Sequence, residues 1–287
     1  MKSFLFLLLT CTTLAATEVK SLFLTEENKP TKGLIELLSL DGLYSPDDTL
    51  ATLQEKTQKS WIQVVQGKEG RERCDLKDSP QEIAKKAEVI KAASLMGIFN
   101  ASLPSRTHYT YAIVLGGFRD GIIFRLQELV KLWQQGVRYD TLYFLTGERT
   151  LRADKDGDLI DCKTEYDLCK LIWQKHEVPE AMRQALVDKV FFVNASRGTN
   201  ARPGTKELYE TWLKEFRPAP GTIVASSHPL YWTLQQLAAV KVLGPDYSLE
   251  TIAPKFQETK FENNLVSVVH DTVAKCLYVL AGCEDKL

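Results

Sequence analysis

Tyr111-Ala-Ile-Val-Leu-Gly-Gly-Phe-Arg-Asp-Gly-Ile-Ile-Phe-Arg125 joins an apolar run, paired glycines and an amphipathic segment. That order spells a strand, a tight turn and a helix, the opening unit of an α/β sheet. The start of such a helix gathers unsatisfied backbone N–H groups and the positive end of the helix dipole, so it favours an anion. Gly116 and Gly117 let a ligand approach the backbone closely, although tight-turn geometry alone also accounts for them.

The alternation repeats downstream. Strands are expected at Tyr111–Leu115, Thr141–Thr146, Lys189–Asn194, Thr222–Ser226 and Ser248–Ala253. Helical segments separate them. Leu126, Leu129, Val130 and Trp133 fall on one side of the first, and Leu208, Trp212 and Phe216 are spaced by four in a later one. Thr164 and Asp167 suit a capping box before another. A last helix, Phe261 to Leu280, aligns Leu265, Val269, Val273 and Leu277. Strands alternating with helices pair in parallel through right-handed crossovers. Continuous apolar runs mark a sheet covered on both faces. The expectation is a Rossmann-like, doubly wound parallel sheet of about five strands in the order 3-2-1-4-5.

Upstream, residues 17–108 read as a helical extension packed on the α/β domain of residues 109–287; a small separate helical domain is the alternative. Ser45-Pro46-Asp47-Asp48 and Ser79-Pro80-Gln81-Glu82 both look like helix starts, the second with Glu82 placed to close a capping box. Ile83, Ala87, Ile90 and Ala93 or Ser94 then recur on one face, and Gln66 to Asp78 reads as a loop. Residues 1–16 carry Lys2, the apolar run Phe4–Leu9 and small residues at Ala15 and Ala16, the pattern of a cleaved signal peptide. The run is too short to span a bilayer. Lipidation at Cys11 is a weaker reading. The expected location is therefore periplasmic or extracellular.

A net charge of −1 argues against nucleic acid as a partner, and no second long apolar stretch is present. Beyond the signal segment stand Cys74, Cys162, Cys169, Cys276 and Cys283, an odd number without a Cys-x-x-Cys pair, so neither a zinc ribbon nor a thioredoxin-like site is suggested. Cys169 and Cys276 read as small buried apolar residues. Asn100 and Asn194 head glycosylation patterns, informative only for a eukaryotic secretory protein. No metal site is expected: Asp154, Asp156, Asp158 and Asp161 resemble a calcium loop, but Gly157 is misplaced for an EF-hand, and a solvated acidic loop is the better reading.

In a doubly wound sheet, ligands bind beyond the carboxyl ends of the strands at the switch point, here between the first and fourth strands. The loops meeting there are Gly116 to Asp120 and Ser226-Ser227-His228. Arg125, leaning toward its helix start, can reach the first loop, or it can lie at the surface. His228 is a candidate general base and Ser226 or Ser227 a candidate nucleophile, but no Gly-x-Ser-x-Gly elbow is present. Glu148 stands where ribose-binding acids sit, and equally reads as a solvated carboxylate. Arg197 and Arg202, with Thr199 and Thr205, suit a phosphate or a solvated loop. Neither Gly-x-Gly-x-x-Gly nor a Walker pattern occurs, so no cofactor is indicated.

Ala112-Ile-Val-Leu-Gly-Gly117, Arg125-Leu126, Leu145-Thr-Gly147, Thr164-Glu165, a threonine after the third strand and Ser227-His228 after the fourth occur in this order. Over Tyr111 to Leu243 the chain resembles the YdcF/SanA-like family of bacterial envelope-associated proteins, long labelled a domain of unknown function. The resemblance implies a site built from Gly116, Gly117, Arg125, Gly147, Glu165 and His228, with envelope-related work and nucleotide-like ligands such as S-adenosylmethionine. Tyr231 stands where the family usually has arginine, and Glu148 replaces a second glycine, so the ligand differs from that of its relatives or the chemistry is lost. An exported chain would not normally meet a cytosolic cofactor.

The expectation is an exported protein that binds, and in one version transforms, an anionic small molecule or cell-envelope precursor. Gly116, Gly117, Arg125, Gly147, Ser226 and Ser227 would bind it, with Glu165 and His228 as acid–base candidates. A non-catalytic binding or structural protein on the same fold is the alternative.

Overall fold

The computed structural model describes residues 17–62, 75–157, 162–196, 203–257 and 263–282, which form two compact units. The expected signal segment, Cys11, Cys74, Asp158, Asp161, Arg197, Thr199, Arg202 and Cys283 lie outside the described residues. Among those described, no helix is long and apolar enough to cross a membrane.

One unit comprises Ser102–His228 and Ala238–Ala253. Its strands are β1 (His108–Leu115), β2 (Arg138–Gly147), β3 (Val190–Ala195), β4 (Gly221–Ser226) and β5 (Tyr247–Ile252), all parallel in the order β3-β2-β1-β4-β5. This is the Rossmann-like sheet that the alternating pattern implies. Leu115 pairs with Leu145, and Val114 with Ser226, so β1 ends beside both neighbours.

The sheet sorts β1 by parity. Ala112 and Val114 join Ile122, Leu126 and Leu129 of α6 (Arg119–Gln134) and Leu168, Cys169 and Ile172 of α8 (Glu165–Lys175). Ile113 and Leu115 join Leu208, Tyr209 and Trp212 of α10 (Thr205–Phe216) and Ala239 and Leu243 of α11 (Trp232–Leu243). Full burial of leucines such as Leu126, Leu129 and Leu168 stabilises by about 1.5–3 kcal/mol each. The short α7 (Ala153–Asp156) precedes α8, and α9 (Glu180–Ala185) precedes β3.

The other unit is helical: α1 (17–23), α2 (Lys32–Leu40), α3 (Leu50–Trp61), α4 (Pro80–Ala84), α5 (Lys86–Met96) and α12 (Leu265–Ala281), with Pro229–Leu237. A division at residue 108 therefore needs correction. The α12 stripe of Leu265, Val269, Val273 and Leu277 packs in one core with Leu34, Leu37, Leu53 and Val89 of the helical unit. Asp78 caps α12 by accepting from the amides of Val266 (3.1 Å) and Ser267 (2.9 Å).

Two local expectations also change. Ser45–Asp48 is a turn closed by Asp48, and α3 starts later, capped by Thr49, which accepts from the Thr52 amide. The capping box at Ser79 and Glu82 forms, but α4 stops at Ala84. The break at Lys85 shifts the helical phase, so Val89, Ala92, Ala93 and Met96 are buried while Ile83 is 57% exposed.

Candidate functional site

The loop after β1 is held from beneath by two arginines. Arg125 lies within α6 and leans back toward its start, burying its guanidinium. Its Nη1 donates to the carbonyls of Leu115 (3.0 Å) and Gly116 (2.8 Å). Arg149, two residues beyond Gly147, donates through Nη2 to the Gly117 carbonyl (2.9 Å) and lies over the Phe118 ring, 4.6 Å from its centroid.

The consequence is a set of backbone donors. No peptide here is cis, so each N–H points opposite the preceding carbonyl. With the Gly116 and Gly117 carbonyls turned to arginines, the Gly117 and Phe118 amides face the other way. Together with the amides of Asp120 and Gly121, they have no acceptor among the described residues. The Arg119 amide does have one: Oδ1 of Asp156, at 3.0 Å. Part of the anion demand of the α6 start is thus met internally.

Asp156 corrects the reading of its loop as solvated. It is fully buried and accepts from Arg149 Nη1 (2.9 Å) and Nη2 (3.1 Å) and from the Arg152 amide (2.9 Å). Burial works against its ionisation most strongly, yet these bonds hold its carboxyl below the usual range. Asp154 is solvated, on Arg152.

Glu165 begins α8, whose Thr164–Asp167 capping box forms as expected. Its amide donates to the Arg149 carbonyl (3.0 Å), fixing it beneath the loop. Oε2 accepts from Arg149 Nε (3.0 Å), and Oε1 accepts from the Gly147 amide (3.3 Å). Arg149 therefore faces two buried carboxylates. Burial opposes its charge, but they overcome that and raise its pKa. Glu165 is 5% exposed, so it does not line a rim. The Cys169 thiol, one turn on, is pushed well up by burial and then by Glu165. With Cys276, it is buried as the apolar reading expects.

The glycines have separate reasons. A Cβ on Gly116 would meet Glu165 Oε1, one on Gly147 would lie 2.2 Å from Pro203, and one on Gly117, at φ +155, would lie 2.9 Å from Arg125 Nη1. Across from them, Ser226 ends β4, buried, with no partner for its hydroxyl among the described residues. Ser227 donates from its amide to Ile252 O (2.9 Å) and from its hydroxyl to the His228 carbonyl (3.2 Å). A serine–imidazole hydrogen bond is not formed there. The half-buried His228 ring lies 5.7 Å from that of Phe124, on α6 next to Arg125.

Gly116, Gly117, Arg125, Gly147 and Glu165 thus form one connected cluster, while Ser226, Ser227 and His228 adjoin it through β4 and Phe124. Arg149 and Asp156 escape sequence reasoning. The faint signal for Arg149 is its place just after Gly147-Glu148. For Asp156 there is none, because alternate acids read as solvated. No group of three His, Cys, Asp or Glu among the described residues is placed to hold a metal.

No family model, curated protein or solved structure matches the chain.

Proposed function

We propose that this is an exported protein that binds an anionic small molecule or cell-envelope precursor at the carboxyl edge of the sheet. One observation carries the reading. The carbonyls of Gly116 and Gly117 are tied to Arg125 and Arg149, leaving the Gly117, Phe118, Asp120 and Gly121 amides as donors at the positive end of α6. The ordered motifs that resemble the YdcF/SanA-like family, and the signal-like residues 1–16, support the same reading.

Arg125 and Glu165 position the loop. His228 is the acid–base candidate, since Glu165 is engaged on Arg149 and Gly147. The second reading, binding without chemistry, is favoured by the Ser227 hydroxyl, which is spent on a carbonyl.

A thermal-shift screen of small anions tests the reading, because a ligand that binds only the folded state raises the melting temperature. A stabilising anion whose effect disappears in Gly117→Ala is the expected result; equal shifts in the variant would refute it. With such a ligand in hand, His228→Ala separates the two readings: turnover lost with affinity kept indicates catalysis, and no turnover by the unsubstituted protein indicates binding. Export predicts that secreted protein begins near Ala16 or Thr17, and cytosolic protein still starting at Met1 would contradict it.

A further inference from the structure

Resting on that reading, we infer that the ligand is a compact phosphomonoester, whose phosphoryl group meets the Gly117-Phe118 amides from the β4 side and which carries no nucleoside toward β2.

The β2 side is closed by the chain itself. In dinucleotide-binding sheets, the ribose lies against the end of the second strand and the pyrophosphate against the first loop. Here the Arg149 side chain spans those two places. It starts beyond β2, reaches the Gly117 carbonyl, stacks on Phe118 and is locked by Glu165 and Asp156. Its side chain is 4% exposed. A ribose could enter only by displacing a buried guanidinium from two carboxylates, which is strongly unfavourable.

The β4 side carries an independent sign of a ligand. Ser226 shares the parity of Val224, which packs with Ile122 and Leu126 of α6, so its hydroxyl lies on the α6 face beside Val114. It is 0% exposed and without a partner among the described residues. A buried hydroxyl in that condition is costly, and an arriving oxygen would relieve it. A phosphoryl group brings three acceptor oxygens to share among these amides and the hydroxyl, where a carboxylate brings two.

Calorimetric titration of the full chain with inorganic phosphate, glycerol 3-phosphate, ADP and S-adenosylmethionine tests this. Glycerol 3-phosphate should bind at least as well as phosphate, ADP should gain no more than about threefold, and S-adenosylmethionine should not bind. Ser226→Ala should weaken glycerol 3-phosphate about tenfold, as for one hydrogen bond to a charged group. ADP or S-adenosylmethionine binding more than about tenfold tighter than glycerol 3-phosphate, and sensitive to Gly117→Ala, overturns the compact ligand but leaves the anion reading intact. Absence of binding by phosphate, glycerol 3-phosphate and ADP overturns the phosphomonoester, and the anion reading falls with it only if the thermal-shift screen also finds no stabilising anion. Binding that neither Ser226→Ala nor Gly117→Ala alters places the anion elsewhere and overturns both.

Discussion

Glu165 occupies the space that a side chain on Gly116 would need: a Cβ built there would lie 1.8 Å from Oε1 of Glu165 and 3.2 Å from the Leu145 carbonyl. Gly116→Ala should therefore cost about 1–3 kcal/mol by overpacking, measured by urea denaturation. The Glu165→Ala change should cost less in the Gly116→Ala background than in the unsubstituted chain, because the two residues compete for one volume. Additive costs would show that Glu165 is not what excludes the methyl.

Arg149→Met should be among the most damaging single changes. It strands two buried carboxylates, and breaking such a pair costs about 3–5 kcal/mol. The sign of the pH response should also reverse. In the unsubstituted protein the Asp156 carboxyl lies below its ordinary value, so its contribution is complete above about pH 4 and is lost as pH falls through the lower folded value. In Arg149→Met the stranded carboxylates would bind protons more readily when folded than when unfolded, so stability should rise as pH falls from 7 to 5. A variant that loses less than about 1 kcal/mol would contradict the arrangement.

Ser226→Ala should leave the unliganded protein as stable as before, or slightly more so, since removing a buried unsatisfied hydroxyl removes a penalty. Ligand binding should suffer in the same variant. Thermal melts with and without glycerol 3-phosphate separate the two effects, and a marked loss of intrinsic stability would show that the hydroxyl is structural.

His270 in the helical unit stacks flat on Trp61, ring centroids 4.3 Å apart, with Nε2 3.7 Å from Oδ2 of Asp41. Burial chiefly holds its pKa below the ordinary value; Asp41, Glu82 and Asp78 pull the other way, and Lys85 adds to the depression. A depressed histidine gives stability that is complete above about pH 6.5 and is lost as pH falls toward the folded value. The melting temperature should drop between pH 7.5 and 5.5, and His270→Gln should flatten that drop. An unchanged pH slope in the variant would assign the effect elsewhere.

The sheet was readable because its strands are continuous apolar runs such as Ala112–Leu115, and glycines and caps mark where each element turns. Arg125 was readable for a similar reason, since a helical side chain leans toward its own start. The interior of the site was not. Asp156 is surrounded in sequence by other charges, and only Arg149 and the Arg119 and Arg152 amides make its burial tolerable. Periodicity puts Ile83 on the buried face because it runs across Lys85, where the helix does not. The stripe on α12 reveals that it is buried but not which partner covers it.

That partnership has a consequence for biogenesis. Gln58 donates to the carbonyl of Ala274 across 216 positions of chain, and α12 supplies Leu265, Val269, Val273 and Leu277 to the core that shelters Leu34, Leu37 and Leu53. A ribosome delivers α2 and α3 long before α12, so the nascent N-terminal helices must wait with their apolar faces uncovered. Any stop codon upstream of α12 would release a chain whose first half has lost its seal, a substrate for chaperones and proteases.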